Sequence, residues 1–223
     1  MGLSKEQAAK NRVAILASAT RLFRERGVDA VGLSELMKHA GFTQGGFYNH
    51  FASKSALVAE VISAAMAQGA ADFSLALSTP VEASTTALHR FVAYYLSQGH
   101  RDNIEHGCPV SGFAGDAPRV GTKAQTYFVH GLDDQITIIA ALIAESGTTD
   151  ATGEQRTLRE RAISLHCQMV GALVLSRSVA QTAPAFSDEI LKNVQRDIIA
   201  SLDQHSNRPS AKSKKTSSTG GAV

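Results

Sequence analysis

The sequence predicts an all-α protein. Apolar residues recur at the three- and four-residue spacing of an amphipathic helix, as Ile15, Ala19, Leu22 and Phe23 do in the first segment. The composition agrees, because proline is scarce, with five residues in 223, and alanine, the strongest helix former, is abundant. The sequence has no stretch with the strict apolar–polar alternation of a half-buried strand, and no internal repeat. A bundle of helices is therefore expected.

The first two helices have clear start and stop signals. One helix is predicted over Lys5–Arg26 and ends before Gly27, a residue type that terminates helices readily. A short second helix is predicted over residues 35–40, with either Ser34 or Gly32 as its N-cap.

More helices are predicted after Gly41. Thr43 is expected to cap a short helix over residues 44–51, and Ser53 to cap a longer helix that reaches about residue 70. The second half is predicted to be helical from residue 80, with an interruption over residues 99–117, a restart near Val120, a polar loop over 147–153, a long helix over 154–181 and a last helix capped by Ser187.

The composition excludes a secreted or membrane-spanning class. No continuous apolar run approaches the ~18 residues that a spanning helix needs, and residues 1–12 lack the apolar core of a signal peptide. Cys108 and Cys167 are too few for a disulfide framework and are expected to be free thiols. We therefore expect a cytoplasmic protein without membrane partners.

Charge is distributed unevenly along the chain. Residues 1–54 hold eight Lys or Arg and four Asp or Glu, whereas residues 55–205 hold ten and sixteen. Residues 206–223 hold four basic and no acidic side chains and show no apolar periodicity, which is typical of a disordered basic tail. We call residues 1–54 the head and residues 55–205 the body. A basic head on an acidic body fits nucleic-acid binding by the head, although chance asymmetry gives the same pattern.

The strongest motif is a helix-turn-helix over residues 33–51. Two short helices flank the turn at Gly41, and apolar side chains such as Leu36 and Phe47 hold them together. The second helix of this motif lies in the major groove of DNA. Its outer face carries side chains that can hydrogen-bond to base edges and phosphates, namely Thr43, Gln44, Tyr48, Asn49 and His50.

Gly45 and Gly46 are unusual inside a short helix. Each costs ~1 kcal/mol relative to alanine in a helix interior. Close approach of the backbone to DNA explains the missing side chains. The alternative is a frayed, loop-like first turn.

Residues 11–62 resemble the DNA-binding domain of the TetR family. The markers lie in ILASATRLFRERGVDAVGLSELMKHAGFTQGGFYNHFASKSAL: a helix ending Leu-Phe-x-x-x-Gly, the helix-turn-helix, and Phe-Tyr-x-His-Phe-x-x-Lys-x-x-Leu. The resemblance implies a homodimeric repressor that leaves a palindromic operator when a small molecule binds. It also implies that Tyr48, His50 and Lys54 touch the DNA backbone. The candidate DNA-contacting residues are Ser34, Thr43, Gln44, Gly45, Tyr48, Asn49, His50 and Lys54.

On this interpretation the chain has three parts. Residues 1–52 form the helix-turn-helix domain, residues 53–205 a helical effector-binding and dimerisation domain, and residues 206–223 the basic tail. Two long C-terminal helices carry more apolar positions than one packing face needs, which favours a four-helix bundle with a two-fold mate. Leu173 and Val194 are candidates for that interface.

The effector domain offers weaker signals. The segment EHGCPVSGFAGD resembles a Gly-Cys-Pro segment in one branch of the family, where some members respond to electrophiles or small unsaturated acids. Cys108 is either a reactive thiol beside an imidazolium or helix N-terminus, or a small buried apolar residue. The candidate effector-pocket residues are Phe91, Tyr95, Cys108, Phe113, Tyr127, Phe128, His166 and Met169, and most could equally be core.

Other chemistry has little support. The eight histidines lack the spacing of a zinc site, and no glycine-rich phosphate loop follows a strand. Cys108 with His166 could be imagined as a nucleophile and base, yet the sequence places no orienting group beside them. We expect no catalytic residue, cofactor or metal, and weigh the repressor against a helical enzyme or sensor that uses Cys108.

Overall fold

The computed structural model describes residues 4–78, 86–147 and 157–206. Within these ranges every regular element is helical, in agreement with the predicted all-α class. The elements are α1 (Lys5–Arg26), α2 (Leu33–His39), a 3-10 helix (Gln44–Asn49), α3 (Lys54–Ser78), α4 (Ala87–Tyr95), α5 (Gln98–Asp102), α6 (Pro109–Phe113), α7 (Thr122–Glu145), α8 (Leu158–Val179) and α9 (Pro184–Ser206).

The N-terminal helices begin and end close to their predicted signals. Gly27 adopts φ +85°, a left-handed conformation that favours glycine, and ends α1. Of the two candidate caps for α2, Gly32 occupies the N-cap position, and Ser34 lies exposed in the first turn. The helix starts at Leu33, two residues earlier than it would with Ser34 as its N-cap.

The predicted third helix is shorter and tighter than expected. Thr43 is its N-cap, as predicted, but the segment Gln44–Asn49 forms a 3-10 helix and stops before Phe51. Gly45 and Gly46 occupy its first turn, where their low helix propensity weakens a regular α-helical ladder.

Helix α3 connects the head to the rest of the chain. The Ser53 hydroxyl accepts a hydrogen bond from the Ala56 backbone N–H at 3.0 Å, which confirms the predicted cap. The helix continues to Ser78, beyond the predicted end at about residue 70. Residues 79–85, where the helical pattern was expected to resume, lie outside the described residues.

Two features of the second half differ from prediction. The interruption over residues 99–117 contains α5 and α6, which are too short for a periodicity argument to detect. Helix α8 begins at Leu158 rather than at residue 154, because Thr157 and Glu160 form a capping box there. Most of the predicted loop over 147–153 lies outside the described residues.

The predicted role of Ser187 as a helix cap is wrong. Helix α9 begins at Pro184, so Ser187 lies inside it. The Ser187 hydroxyl is fully buried and donates to the Ser176 backbone carbonyl at 2.9 Å, while the Ser176 hydroxyl donates to the Ser187 carbonyl at 3.0 Å. This reciprocal pair joins α8 to α9 instead of capping a helix.

Two clusters of buried apolar side chains form the core. The first joins α1, α2 and the 3-10 helix to α3, α6 and the start of α7, around Phe23, Phe47 and Phe113. The second lies between α4, α7, α8 and α9, around Phe91, Ile139 and Met169. Partly buried Cys108 packs against both clusters, so it sits where they meet.

Helices α7 and α8 are long and apolar enough to cross a membrane by length and composition alone. Both are core helices in this fold, because α7 packs against α3 and α8, and α8 packs against α9. Core helices of soluble proteins share that composition, so these two helices are weak evidence for membrane insertion.

Candidate DNA-binding surface and effector cavity

The 3-10 helix separates an apolar face from a polar one. Phe47 is fully buried, and its ring stacks on Phe51 with the centroids 5.6 Å apart. On the opposite side Tyr48 is 67% exposed although it is aromatic. Thr43, Gln44, Gly45 and Asn49 are also exposed, and His50 is half-buried. Six of the eight candidate DNA-contacting residues therefore lie in or next to the 3-10 helix, and five of them are exposed.

Packing inside the chain does not require glycine at position 45. A Cβ built on Gly45 would meet no atom within 4 Å, and one on Gly46 would make only ordinary contacts at 3.9 Å. Neither glycine has a positive φ. The absence of a side chain at Gly45 thus leaves open space above the polar face of the 3-10 helix.

Lys54 is less accessible than the resemblance suggests. It is half-buried, and its Nζ donates a hydrogen bond to the Val28 carbonyl at 2.7 Å. The same ammonium lies 5.9 Å from the centroid of the Phe23 ring. Lys54 therefore ties the start of α3 to the α1–α2 connection, and two of its three N–H groups remain for other partners.

A small cavity lies where the two core clusters meet. Its volume is about 40 Å³, enough for a few water molecules. It is enclosed by residues from α3, α4, α5, the 103–108 segment, α6 and α7, namely Gly69, Phe91, Tyr94, Tyr95, His100, His106, Gly107, Cys108, Pro109 and Gln135.

Three predicted effector-pocket residues line this cavity: Phe91, Tyr95 and Cys108. The other five are placed elsewhere by the fold. Phe113, Tyr127 and Phe128 pack in the first core cluster, Met169 is fully buried in the second, and His166 is buried next to Tyr95. Sequence reasoning missed Gly69, Tyr94, His100 and Gln135, because their contribution depends on how α3, α4, α5 and α7 cross.

The cavity has a buried, neutral polar group beside the thiol. The Tyr95 side chain is 4% exposed, and its hydroxyl makes no hydrogen bond of regular geometry. Burial, and then the neighbouring Cys108 thiol, raise the pKa of Tyr95 well above its ordinary value. His166, with its ring centroid 6.4 Å from that of Tyr95, has no hydrogen-bond partner on either nitrogen. Burial lowers the pKa of His166 to about 4.

His100 fixes the wall of the cavity. Its Nδ1 donates to the Tyr95 carbonyl at 2.7 Å, and its Nε2 accepts from the Cys108 backbone N–H at 2.9 Å. This pairing requires the neutral ring with the proton on Nδ1. Burial, and to a lesser degree the Arg177 charge, lower the pKa of His100, while the bond to Tyr95 opposes them.

Arg177 braces the same wall from α8. Its Nη2 and Nε donate to the carbonyls of His100 and Arg101, and its Nη1 donates to the Ser111 hydroxyl, each at 2.9 Å. Burial is the main cause of the lowered pKa of Arg177. A buried guanidinium with every nitrogen bonded to the chain acts as a rigid support.

A separate apolar surface lies on α8 and at the start of α9. Ile163, Val174 and Phe186 are 38%, 41% and 53% exposed. Ile163 and Val174 are eleven residues apart, which places them on one face of α8. The expected interface residue Leu173 is instead fully buried within the subunit, and Val194 packs partly buried against the second core cluster. Their periodicity alone did not distinguish the subunit's own core from an outer face.

Comparison with known proteins identifies the N-terminal domain. Residues 15–61 match the family described as bacterial regulatory proteins, tetR family. The chain is 43% identical over 58 residues to the HTH-type transcriptional regulator AcrR of Shigella flexneri, covering 26% of this chain and 27% of the relative. It is 40% identical over 62 residues to the HTH-type transcriptional repressor BepR of Brucella suis, covering 28% and 30%. The matched segment spans under a third of either relative.

The whole fold has solved counterparts. The reduced form of E. coli NemR superposes with a TM-score of 0.67 at 20% identity, covering 85% of this chain and 95% of the other. A TetR-family regulator from Agrobacterium tumefaciens superposes with a TM-score of 0.70 at 16% identity, covering 89% and 98%. These likenesses extend the shared fold to the C-terminal helices. The N-terminal segment therefore matches the tetR family of bacterial regulatory proteins, and the remaining helices share the fold of a solved TetR-family regulator.

Proposed function

We propose that this protein is a ligand-responsive, DNA-binding transcriptional repressor that leaves a palindromic operator when a small molecule binds its C-terminal domain. The observation that carries the proposal is the polar face of the 3-10 helix. That face exposes an aromatic hydroxyl and several amide and hydroxyl groups, while its buried face is locked by Phe47. Such groups read base edges and phosphates in the major groove.

The roles of individual residues are those that the resemblance to the TetR family implies. Thr43, Gln44 and Asn49 face the bases, with Gly45 allowing close approach of the backbone. Tyr48, His50 and Lys54 contact phosphates, and exposed Ser34 lies in the first turn of α2. Phosphate contacts position the domain, whereas base contacts supply sequence preference.

The active species is a homodimer. The exposed face of α8 and the start of α9, carrying Ile163, Val174 and Phe186, supplies an isologous apolar interface. Two helix-turn-helix domains then meet half-sites one helical turn apart, ~34 Å on B-form DNA. A DNA-binding dimer of this kind acts in the cytoplasm.

A small-molecule effector binds at the cavity around Tyr95 and Cys108. Apolar and aromatic walls with a few convergent polar groups are typical of ligand sites. The cavity holds about 40 Å³, so a larger effector must widen it and must bind the released state more tightly. Helix α3 connects this cavity to the helix-turn-helix domain. Its movement then changes the distance between the two helix-turn-helix domains of the dimer.

Covalent sensing by Cys108 is a second candidate, favoured by the position of its half-buried thiol on the cavity wall. An enzyme based on this thiol is less well supported. Its neighbouring imidazole, His100, already uses Nε2 to accept the Cys108 backbone N–H and Nδ1 to donate to Tyr95. Neither nitrogen is available as a general base for the thiol.

Operator binding tests the proposal. The wild-type protein selects a duplex from a random pool, and Tyr48→Ala is expected to lower affinity for that duplex at least about tenfold with helicity unchanged. Lys54→Ala is expected to weaken binding to all sequences alike and to reduce the slope of log affinity against log salt by about 0.9. Unchanged affinity in both variants would refute the assigned surface.

A further inference from the structure

The Arg24 guanidinium links the helix-turn-helix domain directly to the cavity wall. Arg24 belongs to α1, yet its Nη1 donates to two backbone carbonyls of the effector domain, Glu105 at 2.8 Å and Gly107 at 2.9 Å. Its guanidinium lies over the Phe113 ring, 5.6 Å from the centroid. Gly107 lines the cavity and precedes Cys108. One side chain therefore spans from the first DNA-binding helix to the cavity.

The wall held by Arg24 is tightly packed against Asn103 and Arg177 on one side. A Cβ on Gly107 would lie 2.5 Å from the Asn103 carbonyl oxygen and 2.7 Å from an Arg177 nitrogen. On the α3 side, a Cβ on Gly69 would lie 2.7 Å from the Pro109 ring. An occupant that presses on this side of the cavity displaces the backbone at Gly107, because close-packed neighbours transmit displacement instead of compressing.

We propose that Arg24 is a positioning residue that transmits opening of the cavity to α1, so that the signal reaches the DNA-binding domain through α1 as well as through the connecting helix α3. A second hydrogen bond also joins the end of α1 to the segment that follows α6. The Asp116 carboxylate accepts a hydrogen bond from the Val28 N–H, just after α1, at 3.3 Å. When the 105–108 backbone moves, the carbonyls that hold Arg24 move with it, and the end of α1 follows. The inference rests on DNA binding by the proposed repressor.

A double-mutant cycle tests the coupling without an identified effector. Gly107→Ala is an internal wedge that displaces the cavity wall. We expect it to weaken binding to the selected operator about tenfold, within the usual range of allosteric coupling. In an Arg24→Met background, the same wedge is expected to weaken binding less than about threefold, because the wall no longer pulls on α1.

Arg21→Met is the matched control. Arg21 lies one turn earlier on α1, carries the same charge and pairs with the Glu25 carboxylate at 3.0 Å. It reaches the 105–108 segment through an exposed ion pair with the Glu105 carboxylate at 3.9 Å, whereas Arg24 bonds to the backbone carbonyls of that segment. The Gly107→Ala effect should remain about tenfold in that background. An equal wedge effect in the Arg24→Met and Arg21→Met backgrounds would overturn the proposal, as would a folded wedge variant with wild-type affinity.

Two further measurements keep the outcomes distinct. If Gly107→Ala lowers helicity, Cys108→Leu serves as the wedge, because it enlarges a side chain on the same wall without changing the backbone. Cys108→Leu is then combined with Arg24→Met and with Arg21→Met, and the two changes in operator affinity are compared as before. If Cys108→Leu alone leaves operator affinity unchanged, the result counts against the coupling. Failure of the wild-type protein to select any duplex would instead refute the proposed function.

Discussion

The helix-turn-helix domain and the effector domain differ in how much of their chemistry is local. The candidate DNA-binding surface comes from the two turns of the 3-10 helix and its flanks, and the relatives match this part of the chain at 40–43% identity. The cavity uses residues from position 69 to position 135, and structural neighbours share the fold there at 20% identity or less overall. DNA presents the same backbone to every member, whereas effectors differ.

The two regions also differ in their buried polar groups. The head buries mainly apolar side chains, and Phe23, Phe47 and Met37 have no exposed surface. The effector domain buries His100, His166 and the Tyr95 hydroxyl next to a cavity. A buried polar group without a partner costs stability, so the effector domain gives up stability where a ligand would bind.

The largest expected effect concerns pH and His166. Its pKa is about 4 in the folded chain and 6.5 in the unfolded one. The contribution of His166 to the unfolding free energy is therefore constant above pH 6.5. It falls as pH drops towards 4, because the unfolded state takes the proton before the folded state does, and it levels off below that pH. The loss is about 3 kcal/mol. His166→Leu should remove most of this slope in denaturant titrations, leaving a smaller slope from His100, whose pKa is also lowered.

The matched control for that slope is His130→Leu, on the exposed surface of α7. It should leave the pH dependence of the unfolding free energy as in the wild type. An equally steep slope in His166→Leu would show that the effector domain does not bury an uncharged imidazole at this position.

The dimer interface gives the next largest effect. Val174→Asp puts a carboxylate on the exposed face of α8, and we expect a monomer by light scattering at micromolar concentration. Operator affinity should fall about a hundredfold, because one head then binds one half-site. Val129→Asp, 55% exposed on α7, is the control and should stay dimeric. If both variants are dimers, the interface lies on another surface of the subunit.

A pair of tyrosines compares the two regions directly. Tyr95→Phe removes a buried hydroxyl without a regular hydrogen bond, so we expect the unliganded protein to gain about 1 kcal/mol of stability in urea. Tyr48→Phe removes an exposed hydroxyl from the head and should change stability by less than about 0.5 kcal/mol. Destabilisation by Tyr95→Phe would mean that its hydroxyl already has a strong partner in the free protein.

The smallest expected effect belongs to Cys108→Ser. We expect operator affinity within about twofold of wild type, because the thiol is half-buried and its backbone N–H keeps the bond to His100. Release by N-ethylmaleimide, measured in a Cys167→Ser background, separates the two effector hypotheses. In that background Cys108 is the remaining thiol, so release that is lost on adding Cys108→Ser supports the thiol sensor. Continued operator binding after alkylation of Cys108 eliminates it, and this is the result we expect.

Amphipathic periodicity and caps determined the helical class, and the motif predicted the candidate DNA-binding surface. Residues close in sequence there remain close in space, so one-dimensional spacing was enough to place Tyr48 outside and Phe47 inside. The ends of α1 and the cap at Ser53 followed for the same reason, since a cap bonds only to the next turn.

Only the tertiary structure decided how distant elements meet. Periodicity places Leu173 and Val174 on faces of a helix without saying which face its own subunit covers, and the packing of α9 against α8 settled that. Ser187 looked like a cap because serine often is one, but its hydroxyl bonds across to Ser176. The contact from Arg24 to Gly107 joins residues 83 positions apart. The cavity likewise brings together residues from Gly69 to Gln135. Such contacts depend on helix crossing, which no local pattern encodes.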